Sequence, residues 1–261
     1  MLDGQECPSS FHGERADVRK GPLTWAWLGR VGYRDAIFRM DQVAKEVLDR
    51  SEAGRILFLE HPPTVTLGRR ATIRSLKVSP EELRYKGIEL ERSDRGGEAT
   101  YHGPGQLIVY PVLNLKALWM GVKAYVAALE EAMCVALAQW GISEARLDAE
   151  RPGVWTRRGK IASIGLRVRG EIVSHGFAMN LKMDVSPFNM IVSCGLPDAP
   201  VACVSDFIVR PAMADASSVL ARCLGEALGR PVSECEPAKL IGTHSMIQKD
   251  GEVTKLTVQA V

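Results

Sequence analysis

Residues 160–181, KIASIGLRVRGEIVSHGFAMNL, are two runs of apolar and β-branched residues meeting at Arg169-Gly170. That is the pattern of a hairpin closed by a tight turn, and a hairpin is an antiparallel pair. Other strands stand alone between helices. LTWAWLGRVGY (23–33) mixes aromatic and aliphatic residues as a strand does. Ile37, Met40, Ala44, Val47 and Leu48 then recur at three and four residues, which predicts a helix with one apolar face, stopped by Gly54. RILFLEHPPTVTLGRR (55–70) predicts a buried strand, a Pro-Pro break and a second extended stretch. A chain that combines paired strands with strands separated by helices does not build a doubly wound parallel sheet. The expected fold is α+β, a mixed β-sheet flanked by helices.

The remaining elements fit that class. SPEELRYKG (79–87) predicts a short helix capped by Ser79, and IELERS (88–93) a strand. LIVYPVLNL (107–115) predicts a strand in which Pro111 requires an edge or a bulge. A long helix is expected from Val122 to Trp140, burying Val126, Leu129, Met133, Ala136, Leu137 and Trp140 and stopped by Gly141. GVW (153–155) is a further strand, and residues 182–205, rich in proline and glycine without a period, are expected to be a functional loop. A last helix, 212–228, carries Val219, Leu220, Cys223, Leu224 and Leu228, and a small hairpin is expected at Asp250-Gly251. The expected division is a flexible tail over 1–22, a catalytic domain over 23–236 and a C-terminal extension over 237–261.

Composition narrows the function classes. Of 261 residues, 46% are hydrophobic and 25% charged, which is ordinary for a soluble globular chain. A net charge of +2 speaks against a nucleic acid partner, which needs a concentrated basic face. No apolar run is long enough for a membrane span, and the first 22 residues lack the apolar core of a signal peptide. Asp3, Glu6, Glu14 and Asp17 there argue against a transit peptide. A cytoplasmic location is expected, with the six cysteines reduced; none of their spacings suits a metal.

Two constellations carry chemistry. The first is RGGEATYHGPGQL (95–107), with four glycines in thirteen residues. It does not end in the Lys-Ser/Thr of a phosphate loop, and GPGQLI lacks the third glycine of a dinucleotide fingerprint. A phosphate ligand is disfavoured, and simple turns between strands stand as the plain alternative. The second is Lys160 with Cys194. A thiol becomes a nucleophile as a thiolate, which a nearby cation favours, and Gly195 after it suits an oxyanion site. Against this, a single cysteine commonly serves as a small buried apolar residue, the role expected for Cys134 and Cys223. Cys203 stays open because it is close to Cys194 in sequence. His61 and His175 are read as local hydrogen-bonding residues, and His12 and His244 lie in poorly patterned segments.

The strings RGGEATYHGPGQLIVYPVLNL, GKIASIGLRV, SHGFAMNL and SPFNMIVSCGLP, with EHPPTVTLGRR before them, resemble the lipoyl(octanoyl) transferases of lipoate biosynthesis in the family's own order. The blocks span about residues 23 to 208. The resemblance implies the fold of lipoate-protein and biotin-protein ligase catalytic domains. It implies transfer of an octanoyl group from octanoyl-acyl carrier protein to a lysine of a lipoyl domain, the first step of endogenous protein lipoylation. The acceptors would be lipoyl domains of 2-oxoacid dehydrogenases and the glycine cleavage H protein. It places the nucleophile on Cys194, its partner on Lys160, and the acyl pocket on Arg95, Gly96, Gly97, Glu98, Ala99, Thr100, Tyr101 and His102. Ser163, Ile164 and Gly165, and Gly176, Phe177 and Ala178, complete that pocket. The glycines would let the backbone lie against an acyl chain and offer N–H groups to the oxyanion.

A thioester donor is already activated, so no ATP, cofactor or metal is expected, and nothing requires more than a monomer. Both protein partners are typically acidic, and Arg69, Arg70, Arg157 and Arg158 are candidates for a basic rim that steers them. The chain departs from the family at Ser193, where proline is usual, and at Ala202-Cys203, where a Thr-Ser pair is usual. Cys203 is also a candidate for a disulfide with Cys194. The competing readings are an ATP-dependent lipoate or octanoate ligase and a non-catalytic acyl-carrier or lipoyl-domain binding protein.

Overall fold

A computed structural model describes residues 21–148, 153–192, 199–241, 247–249 and 252–254. The elements run β1 (Leu23–Arg30), α1 (Tyr33–Asp49), β2 (Gly54–Glu60), β3 (Thr64–Leu67), α2 (Pro80–Tyr85), β4 (Glu89–Arg92), β5 (Ala99–His102) and β6 (Gln106–Asn114). Then come α3 (Val122–Gln139), β7 (Arg146–Leu147), β8 (Val154–Thr156), β9 (Gly159–Arg169), β10 (Ile172–Asn180) and α4 (Met213–Ala227). The chain closes with β11 (Val232–Glu234), α5 (Pro237–Ile241), β12 (Ile247–Lys249) and β13 (Glu252–Thr254).

Eight strands form one sheet in the order β11-β1-β2-β6-β10-β9-β8-β7. β1 is parallel to β11 and β2; each pair from β2 outward is antiparallel. The mixed sheet is the expected class, and the hairpin turns at Gly170 with φ +60°. Helices cover both faces, so the inner strands are apolar on both sides. Ile56, Phe58, Leu107, Val109 and Phe177 face α3 and α4, while Leu57, Leu59, Ile108 and Tyr110 face α1. The period of two explains the split: neighbours along a strand serve opposite layers. Each fully buried leucine or phenylalanine contributes about 2 kcal/mol from area removed from water. A second sheet, β4-β3-β5, carries α2 and its own small core around Leu83, Ile88 and Tyr101. Ser79 caps α2 as expected, its Oγ accepting from Glu82 N–H at 3.2 Å.

Three expectations need correction. α1 buries Tyr33, Ala36, Met40, Val43 and Val47, leaving Leu48 exposed and Ile37 and Ala44 half-buried. Both faces hold apolar residues, and packing selected the one that includes the aromatic ring of Tyr33. The helix ends at Asp49, not at Gly54. Gly54 starts β2 at φ +146°, where a Cβ would stand 2.5 Å from Val112 O. Pro111 lies on neither an edge nor a register-shifting bulge: β6 is central, between β2 and β10. The ladder to β10 opens there instead, between the pairs Val173–Leu113 and Phe177–Val109, with the register unchanged on either side.

Residues 237–241 join the main body. Leu240 is fully buried in the α1-side core, and its carbonyl accepts from Arg55 Nη1 at 2.9 Å. β12 and β13 pair as the expected hairpin; its turn residues lie outside the described ones. Among the described residues no helix is long and apolar enough to cross a membrane.

Candidate active site

The glycine-rich segment is held by one arginine. Arg95 is buried, and its Nη2 donates to Thr66 O, Thr66 Oγ1 and Glu98 O at 2.9, 2.8 and 2.9 Å. Its Nη1 donates to Gly96 O at 3.0 Å. The guanidinium therefore ties the loop onto β3. Gly96 N–H donates to Leu166 O at 2.7 Å, strapping the loop across β9. That N–H is thus not available to an oxyanion. Close approach explains two other glycines. A Cβ on Gly165 would stand 3.1 Å from Arg95 Cδ, and one on Gly176 would run into Val109 O and Pro111 Cδ. Gly165 and Gly176 are cross-strand partners, so the sheet lacks two side chains at one spot.

Beneath this loop lies a cavity of about 550 Å³. Arg95, Gly96, Gly97, Glu98, Thr100, His102, Lys160, Ser163, Ile164, Gly165, Gly176, Phe177 and Ala178 line it. The structure thereby brings together three segments that are far apart in sequence. Ala99 and Tyr101 point the other way, because β5 alternates; Tyr101 packs edge-on to Phe188 at 5.6 Å in the small core. Cys194 and Ser193 lie outside the described residues. Ile108, Tyr110, Val126, Leu166 and His175 also line the cavity, and sequence reasoning missed them as site residues; Arg70, expected only on the basic rim, lines it too. The alternation of β6 is the signal that would have found Ile108 and Tyr110; nothing local marks Val126, which the helix pattern assigned to packing.

Lys160, the second residue of β9, is buried, its ammonium 5.4 Å from the centre of the Trp155 ring. Gly153 makes room for it: a Cβ there would stand 2.6 Å from Lys160 Cε. Residues 200–202 run alongside, with Lys160 N–H donating to Pro200 O at 2.8 Å and Ala202 N–H to Lys160 O at 3.0 Å. On the other flank of residues 193–198, Val192 N–H donates to Ser75 O at 2.8 Å. The Ala202-Cys203 departure has a structural context. Ala202 is fully buried in the main core, and its carbonyl accepts from Asn180 Nδ2 at 3.0 Å. Cys203 N–H donates to Asp206 Oδ2 at 2.8 Å, and burial pushes its thiol up. Of the basic rim residues, all four are exposed; Arg70 pairs with Glu98 and Arg157 with Glu144, while Arg157 and Arg158 flank the Phe207 ring.

His102, Tyr110 and His175 form the polar side of the cavity, with His61 packed against His102 and Tyr110. His61 Nδ1 sits 2.7 Å from Val31 O, an acceptor only, so Nδ1 carries the proton and Nε2 accepts from Tyr110 O–H at 2.9 Å. Burial pushes His61 down to about 4, assisted by repulsion from His175. His102 Nδ1 donates to Gln106 Oε1 at 2.8 Å, and burial holds it well below the imidazole range. Gln106 Nε2 donates to Asn180 Oδ1 at 2.9 Å, linking this histidine to Ala202 beside Lys160.

His175 Nε2 donates to Asp94 Oδ1 at 2.9 Å, while Arg167 pairs with Asp94 Oδ2 at 2.7 Å. Burial lowers His175 and outweighs the opposing pull of Asp94, which is nearly half exposed and screened by water. His175 also holds φ +56° inside a strand. A non-glycine residue there costs on the order of 1 kcal/mol and draws attention to function. Among the described residues no three metal-ligating side chains gather.

The family described as the lipoyl protein ligase A/B catalytic domain matches residues 33–225. An octanoyltransferase of Acidobacterium capsulatum is 37% identical over 225 residues, covering 78% of this chain and 89% of its own length. One of Chloroflexus aurantiacus is 38% identical over 208 residues, covering 78% and 93%. Among solved structures, a bi-partite lipoate protein ligase from Thermoplasma acidophilum superposes with a TM-score of 0.63 at 20% identity, over 85% of this chain and 91% of that one. A biotin protein ligase from Aquifex aeolicus, with biotin and ATP, superposes at 0.52 and 13% identity over 79% and 70%. The two structures share the fold.

Proposed function

The chain belongs to the lipoyl protein ligase A/B catalytic domain family, and we propose that it carries an octanoyl group from an acyl carrier protein to a lysine of a lipoyl domain. It is an acyltransferase acting in protein lipoylation. The observation that carries the finer reading is the apolar cavity beside a buried amine. Ile108, Val126, Ile164, Leu166, Phe177 and Ala178 form a wall for an alkyl chain, and Lys160 stands in the same wall. Burial gains about 0.8 kcal/mol per methylene, so an eight-carbon chain gains several kcal/mol. The adjoining histidines are uncharged, which suits a neutral thioester. Arg95 already spends its guanidinium on loop carbonyls, which leaves it poorly placed to clamp a phosphate.

In this reading Cys194 is the nucleophile and Lys160 its proton partner. The thiolate attacks the donor carbonyl, the carrier thiolate leaves, and Lys160 gives it the proton taken from Cys194. The lysine of the acceptor domain then attacks the octanoyl-cysteine, and the Cys194 thiolate leaves. Cytoplasmic acceptors are lipoyl domains of 2-oxoacid dehydrogenases and the glycine cleavage H protein. The test is intact-protein mass spectrometry after mixing with octanoyl-acyl carrier protein without ATP. One octanoyl adduct is expected, absent in Cys194→Ala and discharged by an added lipoyl domain. Octanoylation of the domain that starts from free octanoate and requires ATP would overturn the proposal in favour of ligation.

A further inference from the structure

An ammonium group loses two protons when it becomes an amide N–H, and the proposed mechanism places only one of them. Lys160 returns one to Cys194, or holds it beside the thiolate. The second proton needs another acceptor on a route to water. His175 lines the cavity and carries an unused acceptor. Its ring forms part of the cavity wall and is 2% exposed. Nε2–H is committed to Asp94, so Nδ1 carries the lone pair, and this buried nitrogen has no hydrogen-bond partner among the described residues. A buried acceptor without a donor is uncommon and calls for an explanation. Asp94 lies on the outer side of the ring with its carboxylate partly in water.

The backbone gives a second, independent reason. His175 adopts φ +56° in the stretch where the β10 ladder opens opposite Pro111. Strained conformations of this kind persist where the surrounding structure holds a side chain for a task.

On the footing of the transfer mechanism above, we infer that His175, backed by Asp94, is a second proton acceptor that takes the surplus proton of the acceptor lysine. Nδ1 accepts the proton from the attacking nitrogen. The imidazolium keeps its Nε2–H on Asp94 and gives the Nδ1 proton to water as the amide product leaves, so the ring returns to its starting tautomer. Octanoyl-cysteine and ammonium give amide, thiol and one released proton, so the balance closes. The charged and titratable groups facing His175 are Asp94, Arg95 and Arg167, with His61, His102 and Tyr110 behind it.

The test separates the two half-reactions in His175→Gly. The left-handed φ suits glycine, so the backbone carries no new strain, the loading rate reports whether the site stays intact, and the vacated space admits imidazole. The native protein and the variant are first loaded with octanoyl-acyl carrier protein, then mixed with a lipoyl domain, with each step followed by mass. Discharge is expected to fall about a hundredfold further than loading, as for loss of a general base. Added imidazole is expected to restore at least a tenth of the lost rate. Without imidazole, the discharge of the variant climbs about tenfold per pH unit as free amine is titrated in, a slope the native protein lacks between pH 7 and 9. Loading and discharge that fall by one factor, with no imidazole effect and the native pH slope, overturn the role of His175 alone. Failure of the native protein to load overturns the thioester mechanism and this inference with it.

Discussion

His61 offers a sharp test of the neutral-ring cluster, because its charge state is tied to folding. In the folded protein burial lowers it from 6.5 to about 4. In the unfolded chain it titrates near its ordinary value. The folded-state pKa is therefore depressed, and the stabilisation is fully present above about pH 6.5. As pH falls from there the unfolded chain binds a proton that the folded one refuses, and stability drains away until about pH 4. A shift of about 2.5 units at about 1.4 kcal/mol each amounts to ~3 kcal/mol. His102 and His175 are shifted in the same direction, so the native protein loses more than this in total. His61→Gln isolates the single contribution, since its amide can still donate to Val31 O and accept from Tyr110 O–H. The assay is guanidinium unfolding of both proteins at pH 7, 6, 5 and 4. At pH 7 the variant is expected to be about 1 kcal/mol less stable, from poorer hydrogen-bond geometry. By pH 4 it is expected to be the more stable of the two, the difference having moved by ~3 kcal/mol. A difference that stays level across this range would refute the reasoning, because it would mean that His61 binds protons equally in both states.

Other expectations follow from single contacts. Tyr125 is fully buried with its hydroxyl unpartnered among the described residues, so Tyr125→Phe should raise stability by about 1 kcal/mol, read as an increase in Tm; a loss of that size would show a hidden partner. Gly153→Ala presses on Ala162 O, at φ +120°, as well as on Lys160 Cε, and should displace Lys160 and cut transfer at least tenfold, checked by single-turnover rates, with circular dichroism and Tm reporting how much of the loss is strain in the fold. Arg95→Lys keeps the charge but cannot satisfy four acceptors in a plane, and should cost about 2 kcal/mol with faster hydrogen exchange at Gly96 N–H.

The sequence was most legible where structure is local. The hairpin at Gly170 and the Ser79 cap are decided within a few residues. Legibility ended where the outcome depends on distant partners. The buried face of α1 was misassigned because Ile37 and Ala44 fit the helical period as well as Ala36 and Val43 do; only the sheet beneath selects. His61 and His175 were read as local residues, yet their partners include Tyr110 and Asp94, 49 and 81 positions away. The segment 95–102 was carried over whole as an acyl pocket, but a strand gives only alternate residues to one side. Thr100 and His102 line the cavity, whereas Ala99 and Tyr101 serve the small core. Val126 shows the converse: its helical spacing fits packing, and only the fold reveals that it faces a hollow.

The cavity itself follows from departures from pattern. A sheet buried on both faces is normally filled by alternating side chains. Gly165 and Gly176, paired across the β9–β10 ladder and both in the cavity wall, instead let Arg95 and the β6 backbone at Val109 and Pro111 approach closely. Pro111 is a further departure, since a residue without an N–H cannot complete the β6–β10 ladder, and the opening it leaves is where His175 takes its left-handed turn. Each feature taken alone weakens a strand: two glycines forgo packing and a proline forgoes a hydrogen bond. Together they turn the centre of the sheet into a cavity wall with one histidine built into it. Local preference conflicts with fold at these positions, and such conflicts concentrate where function has been placed. The same logic explains why Arg95 is buried: with the sheet opened, the loop above needs its own anchor, and one guanidinium satisfying four acceptors supplies it.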